Sequence, residues 1–183
     1  FSDLSRLQAI VRDQPFQIVL AGKAHPHDEI GRQLIVALHT QARALAGHVT
    51  VVYLPDYDMA LAQILTAGSD VWLNTPLPPM EASGTSGMKA AMNGVPSLSV
   101  LDGWWIEGCI EGLTGWAIGD ATGMPNDDIA AFYDKLEDVV LPLYYARSDG
   151  RWIKLMKGAI SKNASYFNSH RMMRRYATEA YSR

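Results

Sequence analysis

The residues most able to do chemistry lie in one run, NTPLPPMEASGTSGMKAAMNG, residues 74–94. Pro76, Pro78 and Pro79 exclude both helix and ladder pairing just after Asn74. The stretch EASGTSG, 81–87, follows, and Ser83, Gly84, Thr85, Ser86 and Gly87 are small enough to leave backbone N–H groups uncovered where a helix begins. Uncovered amides at a helix start are what an oxyanion or a phosphate requires. Lys89, one turn further in, adds a primary amine. The run matches neither GxGxxG nor GxxxxGK[ST], so it supports neither a dinucleotide fingerprint nor a Walker A loop. A helix start chosen for close packing has the same composition, and the small residues alone leave both readings open.

Other chemically capable residues surround this run. Glu81 can accept hydrogen bonds from sugar hydroxyls or cap the helix start. Asp102 and Glu107 flank GWW, 103–105, at the end of an apolar strand, and both are expected to open toward the same cleft. Trp104 and Trp105 suit ring stacking, but adjacent tryptophans more often pack a core. GKAHPHD, 22–28, presents Lys23, His25 and His27 after another strand. Two histidines without a matched carboxylate pair do not make a metal site, and no metal is expected. Cys109, the single cysteine, excludes an intramolecular disulfide, favours a reducing compartment and lacks a nearby base, so it reads as structural or incidental.

The elements that must position these residues follow from hydrophobic period and breakers. Residues 3–13 read as a helix through Leu4, Leu7 and Ile10 or Val11, stopped before Pro15. FQIVLAG, 16–22, and VTVVYLP, 49–55, read as strands; Asp28 to Ala46 reads as a helix on Ile30, Leu34, Leu38, Ala42 and Leu45. A helix over 58–67 turns Leu61, Ile64 and Leu65 inward, and DVWLN, 70–74, is the third strand. The next helix starts near Ser86 and ends at Asn93-Gly94, before the strand 96–100. Nine of the 15 glycines fall between 84 and 123, predicting tight turns and close backbone approaches, with one short strand at 115–118. From 127 the chain reads as helical, with Ile129, Phe132, Tyr133, Leu136 and Val139 or Val140 in a stripe that Pro142 kinks or ends. Helices over 151–164 and 168–182 carry the basic residues.

Alternating strands and helices predict an α/β fold, a Rossmann-like parallel sheet with helices on both faces. The strands 17–21, 49–54, 71–74 and 96–100 are expected to share one sheet and to send their carboxyl ends toward 81–89, the edge where ligands bind in such sheets. The helices after 127 should cover that sheet or dock at its end. One domain over 1–183, with 127–183 helical, accommodates the whole chain.

Composition agrees: 183 residues, 48% hydrophobic and 19% charged, suit an ordinary globular domain. A net charge of -3 argues against a general nucleic-acid binder. Charge is unevenly spread, with eight basic and one acidic side chain in 150–183 against eight and 18 in 1–149, the pattern of a solvated basic helix on an acidic body. No apolar run approaches the roughly 20 residues that cross a bilayer, and the N-terminus lacks the basic-then-apolar order of a signal peptide. A cytoplasmic location without membrane or nucleic-acid partners is the expectation. The chain opens on Phe1 rather than Met, which points to processing or excision.

Taken together, EASGTSGMKAAMNG at 81–94, GKAHPHD, YLPDYDMALA and NTPLPPMEASG resemble segments of the α-glucan (glycogen, starch or maltodextrin) phosphorylases. TSGMK and DGWW resemble the shorter prokaryotic-type branch. The resemblance implies the C-terminal half of a two-domain GT-B fold, with the N-terminal domain a missing partner in cis, and a homodimer is an assembly the family allows. It implies pyridoxal 5′-phosphate as cofactor, carried covalently by Lys89. It places Thr85, Ser86 and Gly87 around the cofactor phosphate and Tyr57 in the cofactor region. Glu81, Ser83 and Gly84, with Lys23, fall on the substrate side. The implied catalytic residues are Lys89 and Glu81. Asp58 stands where the longer enzymes carry an arginine, and the family's upstream Lys-Arg pair has no counterpart here. The implied reaction is attack of inorganic phosphate on the non-reducing end of an α-1,4-glucan, releasing glucose 1-phosphate with retention. The isolated chain, lacking one cleft wall, is expected to be inactive. A nucleotide-sugar glycosyltransferase resembling glycogen synthase is the alternative, although it needs no cofactor lysine; a noncatalytic glucan- or phosphate-binding module is another.

Overall fold

The computed structural model describes residues 1–120 and 125–182. It divides into two compact units, 1–63 and 64–183. In the first, α1 (Leu4–Asp13) begins where the Asp3 carboxylate accepts the Arg6 N–H at 2.9 Å, and it buries Leu7, Ile10 and Val11. Strands β1 (Gln17–Ala21) and β2 (Thr50–Leu54) pair in parallel, with Gln17 opposite Thr50 and Ala21 opposite Leu54. Their crossover is α2 (Glu29–Ala44), started by Asp28, whose carboxylate accepts the Gly31 N–H at 2.8 Å. The expected inward stripe of α2 is corrected at its start. Ile30 and Leu34 are 73% and 61% exposed, while Gly31, Ile35, Leu38, Ala42 and Leu45 form the covered face. Steps of four residues over-rotate an α-helix by about 40° each, so a stripe counted from Ile30 starts on the exposed side and reaches the covered side only at Leu38.

Helix α3 (Met59–Gly68) spans the boundary and is capped by Asp58, which accepts the Leu61 N–H at 2.8 Å. Leu61 and Leu65 are half-buried, but Ile64 is 67% exposed; three residues beyond Leu61 and one before Leu65, it sits at the edge of a narrow apolar stripe.

In the second unit β3 (Trp72–Asn74), β4 (Ser97–Val100) and β5 (Gly115–Ile118) form a parallel sheet in the order β3-β4-β5. Trp72 lies opposite Ser97, and Ser97 opposite Gly115. Every residue of β4 is buried, as a central strand covered on both faces requires. The chain is therefore α/β with parallel sheets and flanking helices, but the expectation of one sheet shared by all four early strands is not met. Among the described residues β1 and β2 pair only with each other, and each sheet lies within one unit. A short crossover forces its two strands to be neighbours, whereas joining successive pairs needs a further ladder edge. The three-residue β3 offers few ladder groups for one.

Helix α4 (Thr85–Met92) connects β3 to β4, and α5 (Trp105–Gly108) follows β4. Helix α6 (Pro125–Lys135) packs on β5 and continues through a π-turn at Leu136–Val140 into α7 (Leu141–Tyr145). Pro142 falls in α7 directly after the π-turn, so the helical path continues through it instead of ending there. Tyr133, Leu136 and Val140 are buried; Ile129 and Val139 lie at the exposed margin of the stripe. Helix α8 (Arg151–Gly158) buries Trp152 and Leu155, and the π-turn after it, Ala159–Ala164, packs against α4. The last helix, α9 (Ser169–Arg175), buries none of its residues. This corrects the expectation that all helices after 127 dock: His170, Arg171, Arg174 and Arg175 leave α9 no continuous apolar side.

Candidate functional site

After β3 the chain runs through the proline loop to Gly84, whose φ of 85° and ψ of 54° are left-handed. That conformation turns the loop into α4 without a side-chain cap, so the start of the helix keeps its donors for an external acceptor. The Gly87 N–H closes the first turn on the Gly84 carbonyl at 3.2 Å, leaving Thr85 and Ser86 as the residues that present the helix start. Thr85 and Lys89, four residues apart, share one exposed face of α4, while Gly87, Ala90 and Ala91 are buried on the other. Hydroxyl, positive helix end and amine are thus aligned along one face, a donor set suited to a phosphate ester that also carries an electrophilic carbonyl. The Glu81 side chain folds across Gly84, its Cδ 3.5 Å from where a Cβ on Gly84 would stand.

What fixes this loop is the segment after β4. The Asp102 carboxylate accepts the Glu81 N–H at 2.9 Å through Oδ2 and the Gly103 N–H at 2.8 Å through Oδ1. The Trp104 N–H donates to the Ser83 carbonyl at 2.8 Å. Gly103, with φ 54°, has no room for a side chain, since a Cβ would lie 2.7 Å from the Ser83 oxygen and 2.9 Å from Glu81 Cγ. Asp102 is only 6% exposed and committed to backbone donors, so the expectation that it opens into a cleft is corrected. A carboxylate shielded from water needs such donors, and here the loop supplies them. Glu107 accepts the Tyr166 hydroxyl at 3.1 Å. Trp104 and Trp105 are both buried, in the core rather than on a sugar-binding surface.

Lys23 and Tyr57 belong to the first unit. The Lys23 side chain is exposed after β1, and Tyr57 is half-buried just before α3. The Tyr53 hydroxyl donates to the Gly22 carbonyl at 2.6 Å and so ties the Lys23 turn to β2. Gly22, Lys23, Ala24, Asp28 and Tyr53 line an open depression of about 250 Å³. The His25 and His27 rings lie tilted against each other at 5.4 Å between centroids, and the His27 N–H donates to His25 Nδ1, an arrangement internal to the turn. Among the described residues no group of three His, Cys, Asp or Glu side chains could hold a metal.

Burial, reinforced by Glu111 and opposed by Lys135, pushes the Cys109 thiol up to about 11. It is a neutral thiol at ordinary pH. A second open depression of about 460 Å³, beside β5 and α6, is lined by Asp120, Asp127, Asp134 and Asp138 with Lys135. Desolvation, with Asp120 and Asp127 nearby, raises the Asp128 carboxyl, and so acidic a surface repels the anions that the α4 start attracts. Sequence reasoning found 81–89 but missed Asp102 and Gly103 as the supports of that loop; the cluster of glycines between 84 and 123 was the available signal.

The carbohydrate phosphorylase family profile matches residues 4–136. The chain is 47% identical to a glycogen phosphorylase of Aquifex aeolicus, with all of this chain and 28% of that protein covered. It is 42% identical to a maltodextrin phosphorylase of Thermococcus litoralis, covering all of this chain and 23% of the relative. To a glycogen phosphorylase of Mycobacterium tuberculosis it is 38% identical over 98% of this chain and 22% of the relative. The chain thus spans roughly a quarter of the length of these relatives. Among the described residues no helix is long and apolar enough to cross a membrane.

Proposed function

This chain belongs to the carbohydrate phosphorylase family, and from that premise we propose that it is the cofactor-bearing portion of an α-1,4-glucan phosphorylase. The reaction transfers the terminal glucosyl unit of an α-1,4-glucan to inorganic phosphate and yields glucose 1-phosphate. The observation that carries this reading is the alignment of an uncapped helix start, Thr85 and Lys89 along one face of α4.

That face fits pyridoxal 5′-phosphate. Thr85 and Ser86 would hold the phosphate group at the positive end of α4. Lys89 would hold the other end covalently through Nζ, and Gly87, whose own N–H is already bonded, lets the helix lie close on its support. When bound, the cofactor supplies a phosphate that acts as proton and electrostatic partner to the substrate phosphate. Glu81 would accept hydrogen bonds from the glucosyl hydroxyls, with Ser83 and Gly84 shaping the ring's seat. By the family likeness, Lys23 is a substrate-binding residue and Tyr57 a cofactor-binding one. No carboxylate pair is required, because the developing charge is met by oxyanion donors in a site closed to water. A further Rossmann-like domain, making the whole a GT-B enzyme, would form the opposite wall; a homodimer in the cytoplasm completes the proposal.

The test uses the full reading frame that contains this chain, purified with added pyridoxal 5′-phosphate. Borohydride reduction and peptide mass analysis are expected to place one pyridoxyl group on Lys89, and maltoheptaose with phosphate to yield glucose 1-phosphate. The 183-residue chain alone is expected to give almost no turnover. An unlabelled Lys89 in a protein that transfers glucose from a nucleotide sugar would replace this reading with the glycosyltransferase one.

A further inference from the structure

Trp104 occupies an unusual position for a residue so close to a ligand loop. It is 5% exposed, and three glycines make room for its indole. A Cβ on Gly87 would lie 2.8 Å from Trp104 Nε1, one on Gly84 3.2 Å from Cδ1, and one on Gly108 2.6 Å from Cζ3. The ring is therefore wedged between the start of α4 and the end of α5. Phe167 meets it edge-on at 5.1 Å between centroids, and Trp105 lies tilted against it at 5.0 Å. Its backbone N–H holds Ser83, and the Asp102 carboxylate two residues before it holds the Glu81 N–H. One short segment thus grips both ends of the 81–87 loop, by backbone hydrogen bonds at 81–83 and by side-chain packing at 84–87.

We propose that Trp104 is the positioning residue for this loop: its indole, braced by Phe167, sets the angle at which Gly84 delivers the α4 start and hence the separation of the Thr85 and Ser86 donors from Lys89. The inference rests on the reading of 81–89 as a cofactor site, but its geometric content is independent of it. An indole between three glycines leaves no slack, because any shift of the ring brings it against α-carbons of α4 or α5. Truncating the ring leaves a void beside Gly84 and Gly87 into which the helix start can relax, and a misplaced donor loses much of its worth. Phe167 extends the contact to the segment just before α9, so the C-terminal helical region takes part in shaping the loop without touching a ligand.

The experiment compares Trp104→Ala, Trp104→Phe, Gly87→Ala and the double variant Gly87→Ala/Trp104→Ala in the full reading frame. Two readouts are taken: amide hydrogen exchange of 81–88 without ligand, and the dissociation constant for pyridoxal 5′-phosphate. Trp104→Ala should speed exchange across 81–88 while 97–100 stay protected. It should also weaken cofactor binding by about tenfold or more, whereas Trp104→Phe, which keeps a ring between the glycines, should stay within about threefold of the parent. Gly87→Ala should weaken binding when Trp104 is present and restore part of it when Trp104 is alanine, because the added methyl then fills the vacated space. A ring that merely stabilised the fold would not give this reversal of sign, and Gly87→Ala keeps the test decisive if Trp104→Ala does not fold. Unchanged exchange at 81–88 in Trp104→Ala, or a Gly87→Ala effect of the same sign in both backgrounds, would overturn the proposal. If the parent protein takes no cofactor, the function reading fails, and hydrogen exchange still decides the role of Trp104.

Discussion

Replacing Asp102 by alanine removes the acceptor for two part-buried donors at once. The Glu81 N–H at 2.9 Å and the Gly103 N–H at 2.8 Å both point at its carboxylate, which is shielded from solvent. A hydrogen bond to a charged acceptor contributes about 1.5–3 kcal/mol, and a donor left unpaired inside the protein keeps most of that cost. Glu81 is only half-buried, so water can rescue part of its N–H, and the summed loss is about 3 kcal/mol. Asn at the same position keeps the volume and one oxygen but turns an NH₂ toward the other donor, so it should lose about half as much. Amide exchange read at Glu81 and Gly103 in the full reading frame reports the loss where it arises. At about 1.4 kcal/mol per tenfold, Asp102→Ala should accelerate exchange there by about a hundredfold, with Asn intermediate. A Leu98 amide unchanged in all variants would confirm that the opening is local. An Asp102→Ala loss below about 1 kcal/mol would refute the view that this carboxylate fixes the loop.

Three further outcomes follow from the same region. Gly103→Ala, forced to φ 54° with its Cβ 2.7 Å from the Ser83 oxygen, should cost about 2 kcal/mol or more, read as a lowered melting temperature and faster exchange at 81–84. Thr114 is fully buried; its hydroxyl donates to the Gly108 carbonyl and accepts the Ile110 N–H, both at 2.8 Å, so Thr114→Val should cost about 1–3 kcal/mol in urea unfolding while Thr114→Ser costs less. Cys109, with its thiol near 11 against an ordinary 9.0, should react with iodoacetamide at pH 8 about a hundredfold more slowly than a free thiol. Because the folded state holds the neutral thiol, this group's contribution to stability is complete below pH 9 and is lost as pH climbs from there toward 11, a decline that Cys109→Ala should abolish.

The parts of this molecule legible in its sequence are those decided by near neighbours. β-Branched runs ended by glycine or proline located β1 and β2, and the run of small residues before Lys89 located the start of α4 within a residue. Contacts between distant segments were not legible. Nothing local to β2 or β3 states whether they share a ladder, and nothing in the order of Ile30 and Leu34 states which side of α2 will be covered. Asp102 shows the same limit at the site. An acidic residue at the carboxyl end of a strand looks like a group aimed at a ligand, and its assignment turns on whether the donors it meets come from a ligand or from the chain. Here they come from Glu81 and Gly103, 21 residues away and next door. The residues that touch a ligand need accessible polar atoms and tend to be small or charged, which makes them stand out in a sequence. The residues that hold them in place need only shape and a few backbone bonds, so a tryptophan between three glycines passes for ordinary core until the glycines are seen to come from both sides of it.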